Sequence, residues 1–216
     1  MGHPGKFIVV EGTEGAGKTT QIALTTQWLT TTYADRPLLV TRQPGGTALG
    51  QGIRQMLLNP DNPMVPLTEL LLYAADRAQH VEEQIKPHLA QGGIVLSDRY
   101  TDSTVAYQGY GRQLDLTLIE QLNAIATTGL TSDLTLWLDV DVSQGVKRAR
   151  GLQGNYSGGD RIEQESLDFH RRVREGFQAL ALAHPDRVVT IDANRPPDQV
   201  QTDLRQAIAA RLSQYP

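Results

Sequence analysis

Hydrophobic and polar positions along the chain fall into two kinds of segment. Short continuous apolar runs predict strands buried on both faces, and the longer amphipathic stretches between them predict helices. The predicted strands cover residues 7–10, 38–41, 94–97, 134–138 and 188–191. The predicted helices lie near residues 18–32, 47–58, 67–90, 116–128, 143–150, 163–184 and 197–213. This alternation predicts an α/β fold with a mostly parallel five-stranded sheet flanked by helices.

Local residues refine several helix ends. Pro66 suits the first position of a helix, Asp115 can cap the helix that follows it, and Gly92-Gly93 can end the helix before them. In an open parallel sheet, ligands bind beyond the carboxyl ends of the strands. The residues that directly follow each predicted strand are therefore the first candidates for a functional site.

Composition narrows the class of protein. The 216 residues predict a single domain over residues 1–216, and the absence of cysteine excludes disulfides, zinc–thiolate sites and cysteine nucleophiles. The formal net charge of −4 disfavours nucleic acid as a partner, because phosphate-backbone binding needs a basic surface. No apolar run approaches the ~20 residues that span a bilayer, and the N-terminus does not resemble a signal peptide. We therefore expect a cytoplasmic protein without a membrane or nucleic-acid partner.

A glycine-rich motif follows the first predicted strand and opens the first predicted helix. It consists of Gly12, Thr13, Glu14, Gly15, Ala16, Gly17, Lys18 and Thr19, and it fits the phosphate-loop pattern G-x-x-x-x-G-K-[ST]. The glycines let backbone N–H groups surround a phosphate, and the helix N-terminus adds positive potential. We expect the lysine to reach the β- and γ-phosphates and the last threonine to bind Mg²⁺. The motif therefore predicts ATP binding.

Nucleotide-binding proteins of several classes share this loop. A regulatory GTPase also needs N-K-x-D and D-x-x-G motifs, which the chain lacks, and Tyr156-Ser157-Gly158-Gly159 matches only part of a transporter ATPase signature. A small-molecule kinase instead needs an acceptor site and a mobile basic lid. A kinase is the favoured interpretation, and a nucleotide-binding switch without acceptor chemistry is the alternative from another class.

The third predicted strand ends in Ser97-Asp98-Arg99-Tyr100. Because neighbouring strand residues point to opposite faces, we expect Asp98 to approach the metal region and Arg99 to turn toward an acceptor phosphate. The alternative is a surface ion pair between the two.

Six motifs in chain order make the resemblance to a family specific. They are Glu14, Thr41-Arg42-Gln43-Pro44-Gly45-Gly46-Thr47, Tyr73-Ala74-Ala75-Asp76-Arg77-Ala78-Gln79-His80, Asp98-Arg99-Tyr100, Ala106-Tyr107-Gln108-Gly109 and Asp160-Arg161-Ile162-Glu163-Gln164-Glu165. Together they resemble bacterial thymidylate kinases over residues 7 to about 192. The resemblance implies a P-loop kinase fold with a mobile lid, a homodimer, and the Mg²⁺-assisted phosphorylation of dTMP to dTDP by ATP. A kinase for another deoxynucleotide or nucleoside is the nearest alternative.

The resemblance also implies roles for single residues. For the base of dTMP, it implies that Tyr73 stacks on thymine, that Arg77 donates to a base carbonyl, and that Ser103 and Thr104 lie at the base edge. For the sugar, it implies that Tyr107 lies beneath the deoxyribose. For the acceptor phosphate, it implies Arg42 and Arg99. Core packing is the alternative for both tyrosines. Glu14 is expected to help place Mg²⁺ or the 3′-hydroxyl, with Thr19 and Asp98 on the metal. Gln43 departs from the glutamate of many relatives, so the charge of that position is absent here.

Basic residues cluster where the family carries its lid, which we place at about residues 145–163. The phosphate loop has no arginine, and by resemblance the catalytic basic residues then lie in the lid. Our candidates are Arg148, Arg150 and Arg161, whereas Arg171, Arg172 and Arg174 are expected to form a solvated helix face. The resemblance further implies an adenine-side loop at residues 192–195, with an ordinary connection as the alternative.

Overall fold

The computed structural model describes residues 4–152 and 159–213, with the side chains of residues 150–152 left out of the description. Its centre is a five-stranded parallel sheet in the order β2-β3-β1-β4-β5. The strands are β1 (Lys6–Glu11), β2 (Leu38–Arg42), β3 (Ile94–Asp98), β4 (Leu134–Asp139) and β5 (Val188–Asp192). The predicted α/β class and all five predicted strands are confirmed.

Helices cover both faces of the sheet. They are α1 (Lys18–Thr32), α2 (Ala48–Leu58), α3 (Pro66–His80), α4 (Lys86–Ala90), α5 (Thr101–Thr104), α6 (Leu116–Thr127), α7 (Val142–Leu152), α8 (Leu167–Ala183) and α9 (Pro197–Ser213). A π-helical segment, Val81–Ile85, joins α3 to α4, and a second one, Val105–Gly111, extends α5. Within the described ranges, none of the helices has the length and apolar character needed to cross a bilayer.

Three differences from the predicted helices have local causes. The helix predicted over residues 67–90 contains the π-helical segment Val81–Ile85. Helix α8 begins at Leu167 rather than near residue 163, because the Ser166 side chain accepts from the Phe169 N–H at 3.2 Å and starts the helix there. Residues 101–111 are helical, although they were not among the predicted helices. The predicted roles of Pro66 and Asp115 are confirmed.

Strand β1 is buried between two helical layers. Ile8 and Val10 pack in a cluster with residues of α1 and α9, whereas Phe7 and Val9 pack in another with the Val81–Ile85 segment and Tyr100. All four β1 side chains are at most 1% exposed, which is the alternation expected of a strand buried on both faces. The carboxyl end of β1, from which the phosphate loop emerges, is therefore rigidly held.

A third cluster fixes the helical segment after β3. Tyr107 packs edge-on against Phe169 and Phe177 of α8, and Phe177 stacks on Trp137 of β4 with ring centroids 6.0 Å apart. Gly111 and Gly176 allow this close approach, because a Cβ at Gly176 would lie 2.9 Å from the Ala106 backbone. Helix α8 therefore fixes where the Tyr107 ring can lie.

Candidate active site

A cavity of about 460 Å³ opens at the carboxyl edge of the sheet. It is lined by residues that sequence reasoning had placed on separate segments of the chain. The predicted site residues that line it are Glu14, Gly15, Gly17, Lys18, Thr19, Arg42, Tyr73, Arg77, Asp98, Arg99, Ser103, Thr104 and Tyr107. The phosphate loop and the predicted acceptor residues thus share one cavity.

The phosphate loop turns through backbone conformations that favour glycine. Gly12, Gly15 and Gly17 have φ values of 149°, 72° and 91°. A Cβ at Gly15 would lie 2.0 Å from the backbone oxygen of Gly145 in α7, so the loop packs directly on that helix. Lys18 Nζ donates to the backbone oxygens of Gly12 and Thr13 at 2.8 and 3.2 Å, which holds its charge over the loop. Burial and then Arg99 lower the pKa of Lys18 below its ordinary value.

Arg99 joins the phosphate loop to residues 99–107, which contain predicted dTMP-binding residues and are called the acceptor segment below. Its Nη2 donates to Glu14 Oε1 at 3.0 Å and its Nη1 to Ser103 Oγ at 3.1 Å, while the guanidinium lies 4.9 Å from the Tyr107 ring centroid. Burial opposes ionisation of Glu14, but Arg99, Lys18 and His170 outweigh it and hold the pKa of Glu14 below its ordinary value. Glu14 is therefore ionised and lies between positively charged side chains.

The side chain of Arg99 was predicted to turn away from Asp98 by the alternation of side chains along a strand, and this explanation is wrong. Strand alternation does not apply, because β3 ends at Asp98 and Arg99 has a left-handed backbone with φ 72°. The sharp turn directs Arg99 to Glu14 while Asp98 lines the same cavity. The alternative of a surface Asp98–Arg99 ion pair is not seen among the described contacts.

Glu11, which sequence reasoning missed, organises the start of the acceptor segment. Its carboxylate is fully buried and accepts from the Tyr100 N–H at 2.8 Å, the Ser103 N–H at 3.1 Å and the Ser103 hydroxyl at 2.6 Å. Burial raises the pKa of Glu11 to about 7. The available signal was a charged residue ending an apolar strand directly before the phosphate loop.

Tyr107 has both the packing and the polar contact that the sequence left as alternatives. Its hydroxyl donates to Glu14 Oε1 at 3.0 Å, and its ring contacts the α8 aromatics described above. Nearby, Thr104 Oγ1 is buried and has no hydrogen-bond partner among the described residues, although Thr104 lines the cavity. A buried hydroxyl without a partner is costly unless a ligand supplies one.

Arg77 lies under the cavity and is held by neutral groups. Its Nε donates to Gln43 Oε1 at 3.0 Å, its Nη1 to Asn123 Oδ1 at 2.8 Å and its Nη2 to the Tyr100 backbone oxygen at 3.2 Å. The side chain is 2% exposed, yet no carboxylate pairs with it among the described salt bridges. Tyr73, one turn earlier on α3, lines the cavity and is partly buried.

Asp98 and Thr19 are suited to a metal ion bound with nucleotide. Asp98 Oδ1 is buried and has no hydrogen-bond partner among the described residues, and both side chains line the cavity. Among the described residues, no group of three or more His, Cys, Asp or Glu side chains forms a dedicated metal cage. Mg²⁺ in kinase sites is commonly held by one or two protein oxygens plus phosphates and water. The oxygens present therefore fit Mg²⁺.

Arg54 is the second functional side chain, after Glu11, that sequence reasoning missed. It lies on α2, donates to the Pro44 backbone oxygen at 3.1 Å and lines the cavity together with Arg42. Burial and then the charge of Arg42 lower the pKa of Arg54 from its ordinary value. A cation whose pKa is lowered beside a second cation favours an anion bound between them. The signal was a basic residue on the helix that follows the Thr41–Thr47 motif.

Of the lid candidates whose side chains are described, neither Arg148 nor Arg161 lines the cavity. Arg148 donates to the Ala193 backbone oxygen at 3.0 Å, which directs it to the predicted adenine-side loop. The Arg150 side chain, and residues 153–158 of the predicted lid, lie outside the described residues. Arg161 pairs with buried Glu69 at 2.6 Å and donates to the Leu57 backbone oxygen at 2.9 Å. Glu69 also accepts from Arg112, so it binds two arginines.

The solvated helix face expected on α8 was wrong for two of its three arginines. Arg174 makes a two-bond pair with Asp139 at 2.6 and 2.9 Å, and Arg172 donates to the Gly111 backbone oxygen at 2.9 Å. Arg171 is exposed and pairs only with Asp168, one turn away, among the described contacts. Helical periodicity could not reveal partners from distant segments.

Arg161→Ala tests whether this arginine supports the fold. We expect the free energy of unfolding to fall by about 2 kcal/mol, because buried Glu69 loses one of its two charged partners. Urea unfolding followed by circular dichroism measures this, with Arg171→Ala as the control, for which we expect a change within about 0.5 kcal/mol. An unchanged stability with a large loss of kcat would contradict the structural role.

Comparisons with known proteins decide the family. The sequence model described as thymidylate kinase matches residues 10–204. The chain belongs to the thymidylate kinase family. It is 54% identical to a thymidylate kinase of Cyanothece sp., over 98% of this chain and 96% of that one. It is also 54% identical to a thymidylate kinase of Thermosynechococcus vestitus, over 99% of this chain and 91% of that one.

A solved structure shows the same fold. The crystal structure of the thymidylate kinase from Ehrlichia chaffeensis is similar to this chain with a TM-score of 0.78 and 33% sequence identity. The alignment covers 95% of this chain and 99% of that one. The predicted P-loop kinase fold and the resemblance to thymidylate kinases are confirmed, and the nucleotide-binding switch is not favoured.

Proposed function

We propose that this chain transfers the γ-phosphoryl group of ATP to the 5′-phosphate of dTMP, giving ADP and dTDP, and that it does so in the cytoplasm as a single domain over residues 1–216. One observation carries the proposal: Arg99 bonds to the phosphate loop through Glu14 and to the acceptor segment through Ser103. A donor site and an acceptor site thus meet at one guanidinium. Membership of the thymidylate kinase family supports thymidylate as the acceptor.

The donor end of the cavity binds the triphosphate of ATP. The residues that we assign to it are Gly12, Thr13, Glu14, Gly15, Ala16, Gly17, Lys18 and Thr19. When ATP displaces the two backbone oxygens that now hold Lys18 Nζ, the ammonium group can bind the β- and γ-phosphate oxygens. Thr19 and Asp98 would hold Mg²⁺, which supplies charge neutralisation of the phosphate oxygens when bound. The side chains then keep the γ-phosphorus facing the acceptor.

The acceptor end binds dTMP through its phosphate, sugar and base. We assign the 5′-phosphate to Arg99, Arg42 and Arg54, because these three cations line the cavity. Tyr73 and Arg77 bind the base, with Ser103 and Thr104 at its edge, and Tyr107 with Glu14 bounds the sugar. The orphan hydroxyl of Thr104 and the neutral acceptors of Arg77 support this assignment.

The chemical step needs positioning and charge rather than a strong base. A phosphate monoester is already largely ionised near neutral pH, so its oxygen can attack without losing a proton to the protein. Developing charge on the transferred group is met by Lys18 and Arg99, both partly buried where the loop meets the acceptor residues. The lid arginines Arg148, Arg150 and Arg161 were predicted to add to this. Only Arg148 and Arg150 remain in our proposal, since Arg161 is committed to Glu69.

A coupled assay of ADP release tests the function. We expect turnover with dTMP, and slower turnover with dCMP, dGMP and thymidine at equal concentration. Turnover with another nucleotide or nucleoside and none with dTMP would contradict the thymine assignment. Calorimetry with dTMP tests the other alternative, a nucleotide-binding switch without acceptor chemistry. Such a protein would bind ATP and not dTMP.

Tyr107 variants test the sugar pocket. We expect Tyr107→Ala to raise the activity with the ribonucleotide relative to dTMP by about tenfold, because the ring that crowds a 2′-hydroxyl is removed. Tyr107→Phe keeps the ring and loses only the bond to Glu14, so we expect nearly unchanged discrimination. The measurement is the ratio of kcat/KM for the two acceptors. Unchanged discrimination in the alanine variant would refute the steric role.

A homodimer is our proposal for the surface formed by α2, α3 and α6. These helices pack side by side and expose Leu49, Met56, Leu67, Leu71, Leu116, Leu118 and Ile125. Several exposed apolar side chains on neighbouring helices are typical of an interaction site. We expect Leu71→Glu to shift the chain from dimer to monomer in sedimentation experiments, whereas Leu182→Glu, on α8 and 83% exposed, should leave the mass unchanged. A monomeric wild type would contradict the proposal.

A further inference from the structure

We propose that Gln43 is a positioning residue of the base pocket, whose amide aims Arg77 at the cavity and holds His80 as its neutral Nε2–H tautomer. The part that concerns Arg77 rests on the proposed function, and the part that concerns His80 does not.

The direction of each hydrogen bond in the chain of contacts is fixed by chemistry. Arg77 Nε can only donate, so the Gln43 atom 3.0 Å away must be the amide oxygen. The Gln43 NH₂ group then faces His80 Nδ1 at 3.0 Å, and because NH₂ can only donate, Nδ1 must accept. The ring proton is therefore on Nε2 and is donated to Thr41 Oγ1 at 2.7 Å. A doubly protonated His80 would set an N–H against an NH₂ group.

The charges around His80 also favour its neutral form. Burial and then Arg77, on the same helix, lower the pKa of His80 to about 4, and Glu83 of the following π-helical segment opposes them only weakly. From β2 and the loop after it, the facing groups are Thr41, Gln43 and the backbone at Gly46, where a Cβ would lie 2.4 Å from His80 Nε2. The ring is wedged in place and has no carboxylate in hydrogen-bond contact among the described residues.

Because the side chains that hold Arg77 are neutral, its positive charge is not cancelled and remains available to a bound ligand. Its three acceptors are an amide of Gln43, an amide of Asn123 and a backbone oxygen, and each terminal nitrogen carries one further N–H. A buried guanidinium without a carboxylate partner is a strong donor to a carbonyl oxygen of a base. A glutamate at position 43 would neutralise Arg77 and would also accept from a protonated His80. The amide avoids both effects.

Nitrogen NMR of the uniformly ¹⁵N-labelled full chain tests the tautomer without substrate. We expect the His80 signals, assigned by their loss in His80→Gln, to show the Nε2–H tautomer and no titration between pH 5.5 and 8. An Nδ1–H tautomer, or titration at the ordinary value for histidine, would overturn the proposal. This result is independent of whether the chain phosphorylates dTMP.

Two variants that each add one negative charge separate the effect of the Gln43 hydrogen bonds from a general electrostatic effect. In Gln43→Glu we expect the pKa of His80 to rise by more than one unit, because a carboxylate accepts from Nδ1–H. In Gln79→Glu, which adds the same charge at an exposed neighbouring position of α3, we expect a shift below half a unit. Equal shifts of the His80 pKa in the two variants would overturn the proposed role of the Gln43 amide.

The kinetic arm uses Gln43→Met, which keeps the volume and removes the amide. We expect KM for dTMP to rise by about tenfold, with kcat and KM for ATP within twofold of the wild type, because the amide that holds Arg77 and His80 is lost while the phosphate loop keeps its own contacts. An unchanged KM for dTMP, or an equal rise in both KM values, would overturn the positioning role. Absence of turnover in the wild type would count against the proposed function alone.

Discussion

Lys18→Met is expected to lower kcat for dTMP phosphorylation by about a thousandfold, which is the largest effect that the structure predicts. The ammonium group is the one phosphate-loop side chain that can follow the γ-phosphoryl group from ATP toward the acceptor. Steady-state kinetics with saturating dTMP measure the loss. Because Lys18 bonds only to Gly12 and Thr13 among the described contacts, the fold of the loop should survive the change.

Binding measurements separate this effect from simple loss of substrate. We expect the Kd of dTMP to stay within threefold in Lys18→Met, since no described contact of Lys18 reaches the acceptor segment. Lys86→Met is the matched control, because Lys86 lies on α4, is half-exposed and does not line the cavity. A kcat within tenfold of the wild type, or an equally large loss of dTMP affinity, would contradict the assigned role.

Arg99→Met is expected to weaken dTMP binding by about a hundredfold while the Kd of ATP changes by less than threefold. The variant removes a partly buried cation from the part of the cavity that we assign to the acceptor phosphate. It also leaves the Glu14 carboxylate with one cation fewer, and its negative charge then faces the incoming phosphate. Isothermal titration calorimetry with each nucleotide measures the two affinities.

A double variant divides the loss between these two causes. In Arg99→Met with Glu14→Gln, the unpaired carboxylate is absent, so we expect about a tenfold recovery of dTMP affinity relative to Arg99→Met alone. The control is Arg171→Met, which removes an exposed arginine of α8. Equal weakening of ATP and dTMP in Arg99→Met would place this arginine at the donor end and contradict our assignment.

Local patterns were sufficient for much of the fold and for the donor end of the site. The five strands are short apolar runs, and the phosphate loop is a contiguous motif whose glycines have the positive φ values that it requires. Such features are encoded within a few residues. The same is true of Asp115, which caps α6 through the Thr117 N–H at 2.8 Å.

Partners that are distant in sequence could not be predicted in the same way. Arg161 belongs to a basic, glycine-rich region and was expected at the phosphates, yet it pairs with Glu69, which is 92 positions earlier. Arg99 reaches Glu14 because of one left-handed residue after β3, which strand alternation does not anticipate. Glu11 was hidden for a similar reason, since its partners Tyr100 and Ser103 lie on another strand's connection.

The contact between Gly15 and Gly145 has a mechanical consequence. The phosphate loop and α7 meet backbone to backbone, with no side chain between them, since a Cβ at either glycine would come within 2.8 Å of the other segment's backbone oxygen. The two segments are therefore in direct backbone contact at this place, and there is no room for a side chain between them. The position of the phosphate loop is thus tied to the position of α7. Alanine at either glycine would place a methyl group against the backbone of the other segment and force the loop and α7 apart.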